Sequence, residues 1–146
     1  MAELVDDFAA VSEPDRLQLL LELSKELPAL PQRYADRLES MERVHECQSP
    51  LFLAVEVQAL GDGVDLANQQ VHVFFDAPPE APTTRGFAGI LHESLDGLTA
   101  QEVLAVPDDA PYRFGLAGAV SPLRMRGMIA MLSRIKRHVR AVVGPT

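Results

Sequence analysis

Two stretches of strict alternation limit what this chain can fold into more than any other feature. In "LFLAVEV", Leu51, Leu53, Val55 and Val57 share one parity, while Glu56 and the following Gln58 take the other. "QVHVFFDA" repeats the pattern with Val71, Val73 and Phe75. Period-two patterning describes a strand with one face on a core and one towards solvent. The strands are adjacent in sequence and joined by a polar segment that turns at Gly61–Gly63, so antiparallel pairing is the simplest connection. That segment, "GDGVDLANQQ", is long for a tight hairpin and leaves room for a third short strand or a bulge around Val64–Ala67.

A sheet this small needs helices to cover it, and the flanking sequence predicts them. "SEPDRLQLLLELSKEL" opens with Ser12 as N-cap, Pro14 in the first turn and Asp15 three residues on, as in a capping box. Leu17, Leu20, Leu21 and Leu27 form its apolar face, widened by Leu19 and Leu23, and Pro28 and Pro31 end it. "QRYADRLESMERVHE" reads as a charged connector with a turn or two of helix. "APTTRGFAGILHESL" is a helix ending at Gly97, and "TAQEVLAV" carries its own capping box, Thr99 with Glu102. The last helix starts at Ser121 and Pro122, with an apolar stripe through Met125, Met128, Ile129, Leu132, Ile135, Val139 and Val142. The expectation is one α+β domain over residues 1–146: a small antiparallel sheet of about three strands with several helices packed against it.

Composition excludes several functions. With no Trp, six Phe and two Tyr, a stacking platform for single-stranded nucleic acid or glycan is hard to build. "MAELVDDFAA" lacks the basic and apolar parts of a signal peptide, and no apolar run approaches the roughly 18 residues of a membrane span. A single cysteine rules out an internal disulfide and a thiolate zinc cage. A cytoplasmic protein without a metal is expected. Charge is uneven: residues 1–66 hold fourteen acids and five bases, whereas residues 121–146 hold six bases and no acid. Those bases suit the C-terminal end of a helix, or else form a docking face for a partner protein. The overall charge of −8 disfavours nucleic acid.

No glycine-rich phosphate loop, metal-spaced histidine pair or G-x-S-x-G elbow is present. His72, His92 and His138 are scattered, and Asp6–Asp7 and Asp108–Asp109 read as solvated acids. Cys47 is then either a small buried hydrophobe or the reactive atom. It lies in the polar setting "HECQS" at the entrance to a strand, where a sheet can hold the base of a presented side chain. His45 and Arg43 favour a thiolate there and Glu46 opposes it. Without a second cysteine, a thiol that accepts a group and passes it on fits better than a dithiol redox centre.

"CQSPLFLAVEV" resembles the C-Q-S motif of SufE-type sulfur-acceptor proteins, in which the cysteine opens a β-strand. "DRLQLLLELSKELPALP" resembles the family's first helix and proline exit, "RGFAGIL" its central R-G-L helix, and "SPLRMRGMIAMLSRIK" the start of its last helix. The four blocks stand in the family's order over roughly residues 8 to 140. The chain departs from the pattern at Glu46, where Gly is usual, at Phe52, often Trp, and at Leu123 and Arg126 in the last-helix motif. The "GLAGAV" segment lacks the His that precedes S-P in many members.

The resemblance implies that Cys47 takes persulfide sulfur from a pyridoxal-phosphate-dependent cysteine desulfurase, stimulating it, and passes the sulfur to an iron–sulfur cluster scaffold. The chain itself would hold no cofactor and would not be an independent enzyme. Gln48, Ser49 and His45 would support the loop, and Arg124, Arg85 and Arg126 would contact the partner, with neither nucleic acid nor membrane involved. Gly86 and Gly127 would permit close helix packing. The alternatives are an interaction domain of the same fold that carries no sulfur and, less favoured for want of a base and an oxyanion site, a thiol-dependent transferase.

Overall fold

The structure, a computed structural model, describes residues 1–59 and 69–143. Its elements run α1 (Ala2–Ala9), α2 (Glu13–Glu26), α3 (Gln32–Ala35), β1 (Glu42–Arg43), β2 (Phe52–Ala59), β3 (Gln69–Asp76), α4 (Pro82–Leu95), α5 (Ala100–Ala105) and α6 (Pro122–Val143). Single 3-10 segments occupy Leu38–Ser40 and Ala110–Phe114.

β2 and β3 are antiparallel with Leu53 opposite Phe75, Val55 opposite Val73 and Val57 opposite Val71, the parity read from the alternation. Leu53, Val71, Val73 and Phe75 are buried on that face. The third strand suggested around Val64–Ala67 lies outside the described residues. The third strand that the structure shows is β1, which pairs antiparallel with β2 from within the stretch read as a connector. The rest of that connector covers the opposite face of the sheet. Arg33 grips Glu56 with two bonds (2.8 and 2.9 Å), the Tyr34 hydroxyl donates to the same carboxylate at 2.7 Å, and the Tyr34 ring packs on Phe74. The exit of α4 lies along β3: the Val73 amide donates to Asp96 at 2.9 Å, and Gly97, at φ +87°, turns its own amide onto the Val71 carbonyl.

α6 crosses the molecule with Met125, Met128, Met131, Leu132, Ile135 and Val139 buried. The apolar stripe stops there, since Val142 is 61% exposed and Ile129 is half-buried. α2 and α4 approach closely at Gly86 and Gly89, where an added Cβ would sit within 2.7 Å of Leu20 and 2.5 Å of the Leu23 carbonyl oxygen. The Thr99–Glu102 capping box is formed, and the Ser121 hydroxyl accepts the Arg124 amide at 3.2 Å. At α2 the capping box is not formed. Ser12 has the N-cap backbone conformation, but its hydroxyl donates to the Asp15 carboxylate at 3.2 Å, which competes with the helix amides for it. α1 was not anticipated by the alternation or by the caps. It is anchored by Phe8, fully buried edge-on to Phe114, and by Arg16, whose Nε donates to the Phe8 carbonyl at 2.8 Å.

Candidate functional site

Cys47 lies in the hairpin between β1 and β2. The Val44 amide donates to the Leu51 carbonyl (2.9 Å) and closes the hairpin's neck. Val44 and Leu51 are both fully buried there. The Cys47 amide turns back onto the Val44 carbonyl at 3.2 Å. His45, Glu46 and Gln48 are exposed and Ser49 is half-buried, yet Cys47 itself is only 7% exposed. Its side chain points inward onto α6, where Gly127 leaves room for it: a Cβ at Gly127 would lie 3.0 Å from the Cys47 sulfur and 3.5 Å from its Cα. Gly127 therefore faces the cysteine hairpin and not another helix, whereas Gly86 faces α2 at Leu20.

Burial pushes the Cys47 thiol up to about 11; the Glu46 carboxylate adds to the rise and the Arg134 guanidinium opposes it. At neutral pH the resting thiol is protonated. The cation that acts on it comes from α6 rather than from the adjacent Arg43 or His45.

Arg134 organises the surroundings. One of its terminal nitrogens donates to Glu42 and the other to Glu46, each at 2.5 Å. Arg137 (2.6 Å) and His138 (2.7 Å) converge on the same Glu42 carboxylate. Positions 134, 137 and 138 lie on one face of a helix, so three side chains of α6 reach a single acid on β1. Burial works against ionisation of Glu42, but its bonds to Arg137, His138 and Arg134 prevail and hold it at about 2.

A group held below its unfolded value stabilises the fold above that value. Here the contribution is complete above the ordinary glutamate value of roughly 4.3 and is lost as pH falls towards about 2. With the site open to solvent on one side, about 1–2 kcal/mol is expected. Urea unfolding of the wild type and of Glu42→Gln should differ by that amount at neutral pH and converge in acid. A constant difference across pH would show that charge is not the cause.

The basic end of the chain is thus partly engaged by acids, with Arg134 and Lys136 turned inward and Arg124, Arg126, Arg137 and Arg140 exposed. Arg134 and Arg137 meet Glu42 and Glu46, and Lys136, nine-tenths buried, donates to the Val106 carbonyl and Asp108, both at 2.7 Å. Arg124 and Arg126 are exposed and make no side-chain hydrogen bond or ion pair among the described residues. Arg85 is placed differently. Its guanidinium donates to the Ser24 carbonyl (2.8 Å) and the Ala77 carbonyl (2.7 Å), tying α2 to the end of β3. Beside the hairpin an open groove of about 570 Å³ is lined by Glu46, Arg126, Ile129, Ala130 and Tyr112, among others. Sequence reasoning missed Glu42 and Arg134; the only signal was the unbalanced charge of the two ends, which does not say which acid meets which base.

Among the described residues no group of three or more His, Cys, Asp or Glu side chains is placed to hold a metal, and no helix is long and apolar enough to cross a membrane. Compared with known proteins, residues 2–139 match the family model described as "SufE: Fe-S metabolism associated domain". An uncharacterized SufE-like protein of Mycobacterium tuberculosis is 52% identical over 140 residues, covering 96% of this chain and 91% of that protein. One from Rhizobium meliloti is 31% identical over 138 residues, covering 92% and 90%. The solution structure of a hypothetical protein from Thermus thermophilus superposes with a TM-score of 0.77 at 35% identity, covering 96% of this chain and 93% of that one.

Proposed function

Because the chain belongs to the SufE family of Fe–S metabolism associated domains, we propose that it is a sulfur carrier whose acceptor is Cys47. The observation that supports this most is the position of the thiol. It belongs to a hairpin whose His45, Glu46 and Gln48 face solvent, while its own side chain packs with the core over the bare backbone of Gly127. A short movement of that hairpin, with the sheet unchanged, would present the sulfur to a partner.

In this reading the partner is a cysteine desulfurase that carries a persulfide on its own cysteine, with pyridoxal phosphate belonging to that partner. Cys47 loses its proton on leaving the apolar seat, and its thiolate attacks the terminal sulfur in line. The partner's S–S bond breaks, a new S–S bond forms on Cys47, and the partner's sulfur leaves as a thiolate that takes up the proton. No external oxidant or reductant is required. Removing the sulfur from the desulfurase stimulates its next turnover, so the chain acts as an accessory and not as an independent catalyst. Arg124 and Arg126, exposed at the start of α6 beside Gly127, are the partner contacts we favour, and Gln48 and Ser49 shape the loop. The sulfur then passes to an iron–sulfur cluster scaffold, in a cytoplasmic setting.

The test is intact-protein mass spectrometry after incubation with a cysteine desulfurase and cysteine. A gain of about one sulfur atom (~32 Da) that a reductant reverses and Cys47→Ser abolishes is expected. Stable binding of the two proteins without any gain would leave an interaction module of the same fold that carries no sulfur.

A further inference from the structure

What keeps the hairpin closed can be read from its attachments. The backbone bonds from Val44 to Leu51 and from Cys47 to Val44 are internal to the hairpin and travel with it. Among the described residues the tip meets α6 where the Cys47 sulfur and the Glu46 carbonyl lie over Gly127, and where the Glu46 carboxylate meets Arg134. Gly127 and Arg134 are two helical turns apart on the same face of α6, so one helix supplies both the seat and the grip.

We propose that the Glu46–Arg134 ion pair is a latch on the cysteine hairpin, which makes Arg134 a positioning residue for Cys47. The proposal rests on the acceptor reading for its purpose, though not for its test. The guanidinium straddles a boundary. One nitrogen holds Glu42 on β1, with the Arg43 carbonyl at 3.4 Å, and the other holds Glu46 at the tip. Opening the hairpin breaks only the second grip. The two partners are also unequally exposed, Glu46 at 46% and Arg134 at 17%. Glu46 can therefore move out into water while Arg134 stays fixed on Glu42 and ready to receive it again. Neither charge is stranded in the open state, so the latch is reversible. A half-exposed pair is weak, and weakness suits a contact that a docking partner must release at each encounter.

The test is the rate at which iodoacetamide alkylates Cys47 in the folded chain, at fixed pH and at low and high salt, with no desulfurase present. Glu46→Gln should react about two- to fivefold faster than wild type without a change in melting temperature. Salt should accelerate the wild type by screening the pair and have little effect on Glu46→Gln. Arg134→Met separates access from charge. It removes the cation that opposes the rise of the thiol's pKa, which alone would slow alkylation, but it releases the Glu46 grip. It should therefore react faster than wild type, and a rate at or below wild type would overturn the latch. A Glu46→Gln rate equal to wild type, with the same salt dependence, would overturn the latch even if sulfur loading were normal. The expected alkylation pattern without sulfur loading in any variant would keep the latch and sink the acceptor reading.

Discussion

Gly127→Val should turn a hidden thiol into a permanently reactive one. The new side chain would start 3.0 Å from the Cys47 sulfur, and its two methyl groups would occupy the space the sulfur now uses. α6 cannot retreat, because Met125, Met128 and Met131 are fixed in the core on either side of the site. The tip of the hairpin must yield, since among the described residues one side-chain ion pair, Glu46 with Arg134, ties it to α6. Once in water the thiol returns from about 11 towards its ordinary value near 8.5. At any pH below that range the alkylation rate should rise on the order of a hundredfold and approach that of the urea-unfolded chain. Gly127→Ala should give an intermediate rate. Replacing Gly within a helix does not weaken the helix itself, so the melting temperature should change little. A Val variant that alkylates at the wild-type rate would mean that the seat over Gly127 is not what conceals the sulfur.

Gly89→Ala should be the most destabilising single methyl group in this fold. Its Cβ would meet the Leu23 carbonyl oxygen at 2.5 Å and the carbonyl carbon at 2.9 Å. Those are backbone atoms of α2, and no side-chain rotation relieves the clash. α2 and α4 would have to separate along the contact that buries Leu20, Phe87 and Ile90. Overpacking of that kind costs about 3 kcal/mol, well above the ~1 kcal/mol that Ala gains over Gly in a helix, for a net loss near 2 kcal/mol. Urea unfolding measures it. Gly118→Ala is the control, since its Cβ would meet only the flexible Glu13 carboxylate at 3.4 Å, and it should be close to neutral. Equal effects at the two positions would mean that the helices have slack at Gly89.

The parts of the fold that were legible are those whose pattern repeats within one element. Leu53, Val71, Val73 and Phe75 announce two strands by their own alternation, and Met125 to Val139 announce α6 by theirs. Thr99 and Glu102 announce a cap because both of its members are local. The α+β class and the family resemblance through the C-Q-S block follow from such signals. What was missed depends on a partner far along the chain. β1 has no strand pattern; Glu42 and Arg43 are extended because Leu53 and Phe52 offer them amides and carbonyls. α1 carries helical spacing at Met1, Leu4, Val5 and Phe8 but no side-chain cap, and its place against the core depends on Phe114 and Arg16. The placement of Arg85 could not be read from the R-G motif, because its carbonyl partners at Ser24 and Ala77 belong to other elements. The same holds for Arg134, whose two acids lie across the fold from it.

β1 pairs with β2 at two positions, while β2 and β3 pair at eight. That inequality leaves far fewer sheet pairings to hold the cysteine hairpin than hold the β2–β3 pair. Substitutions in the hairpin tip and at its seat on α6, Gly127 and Arg134, change how often the sulfur is offered; substitutions at the α2–α4 contact, such as Gly89, change how much folded protein exists to offer it. The two properties can therefore drift or be selected separately, and a residue such as Glu46 can alter the timing of transfer at almost no cost to abundance.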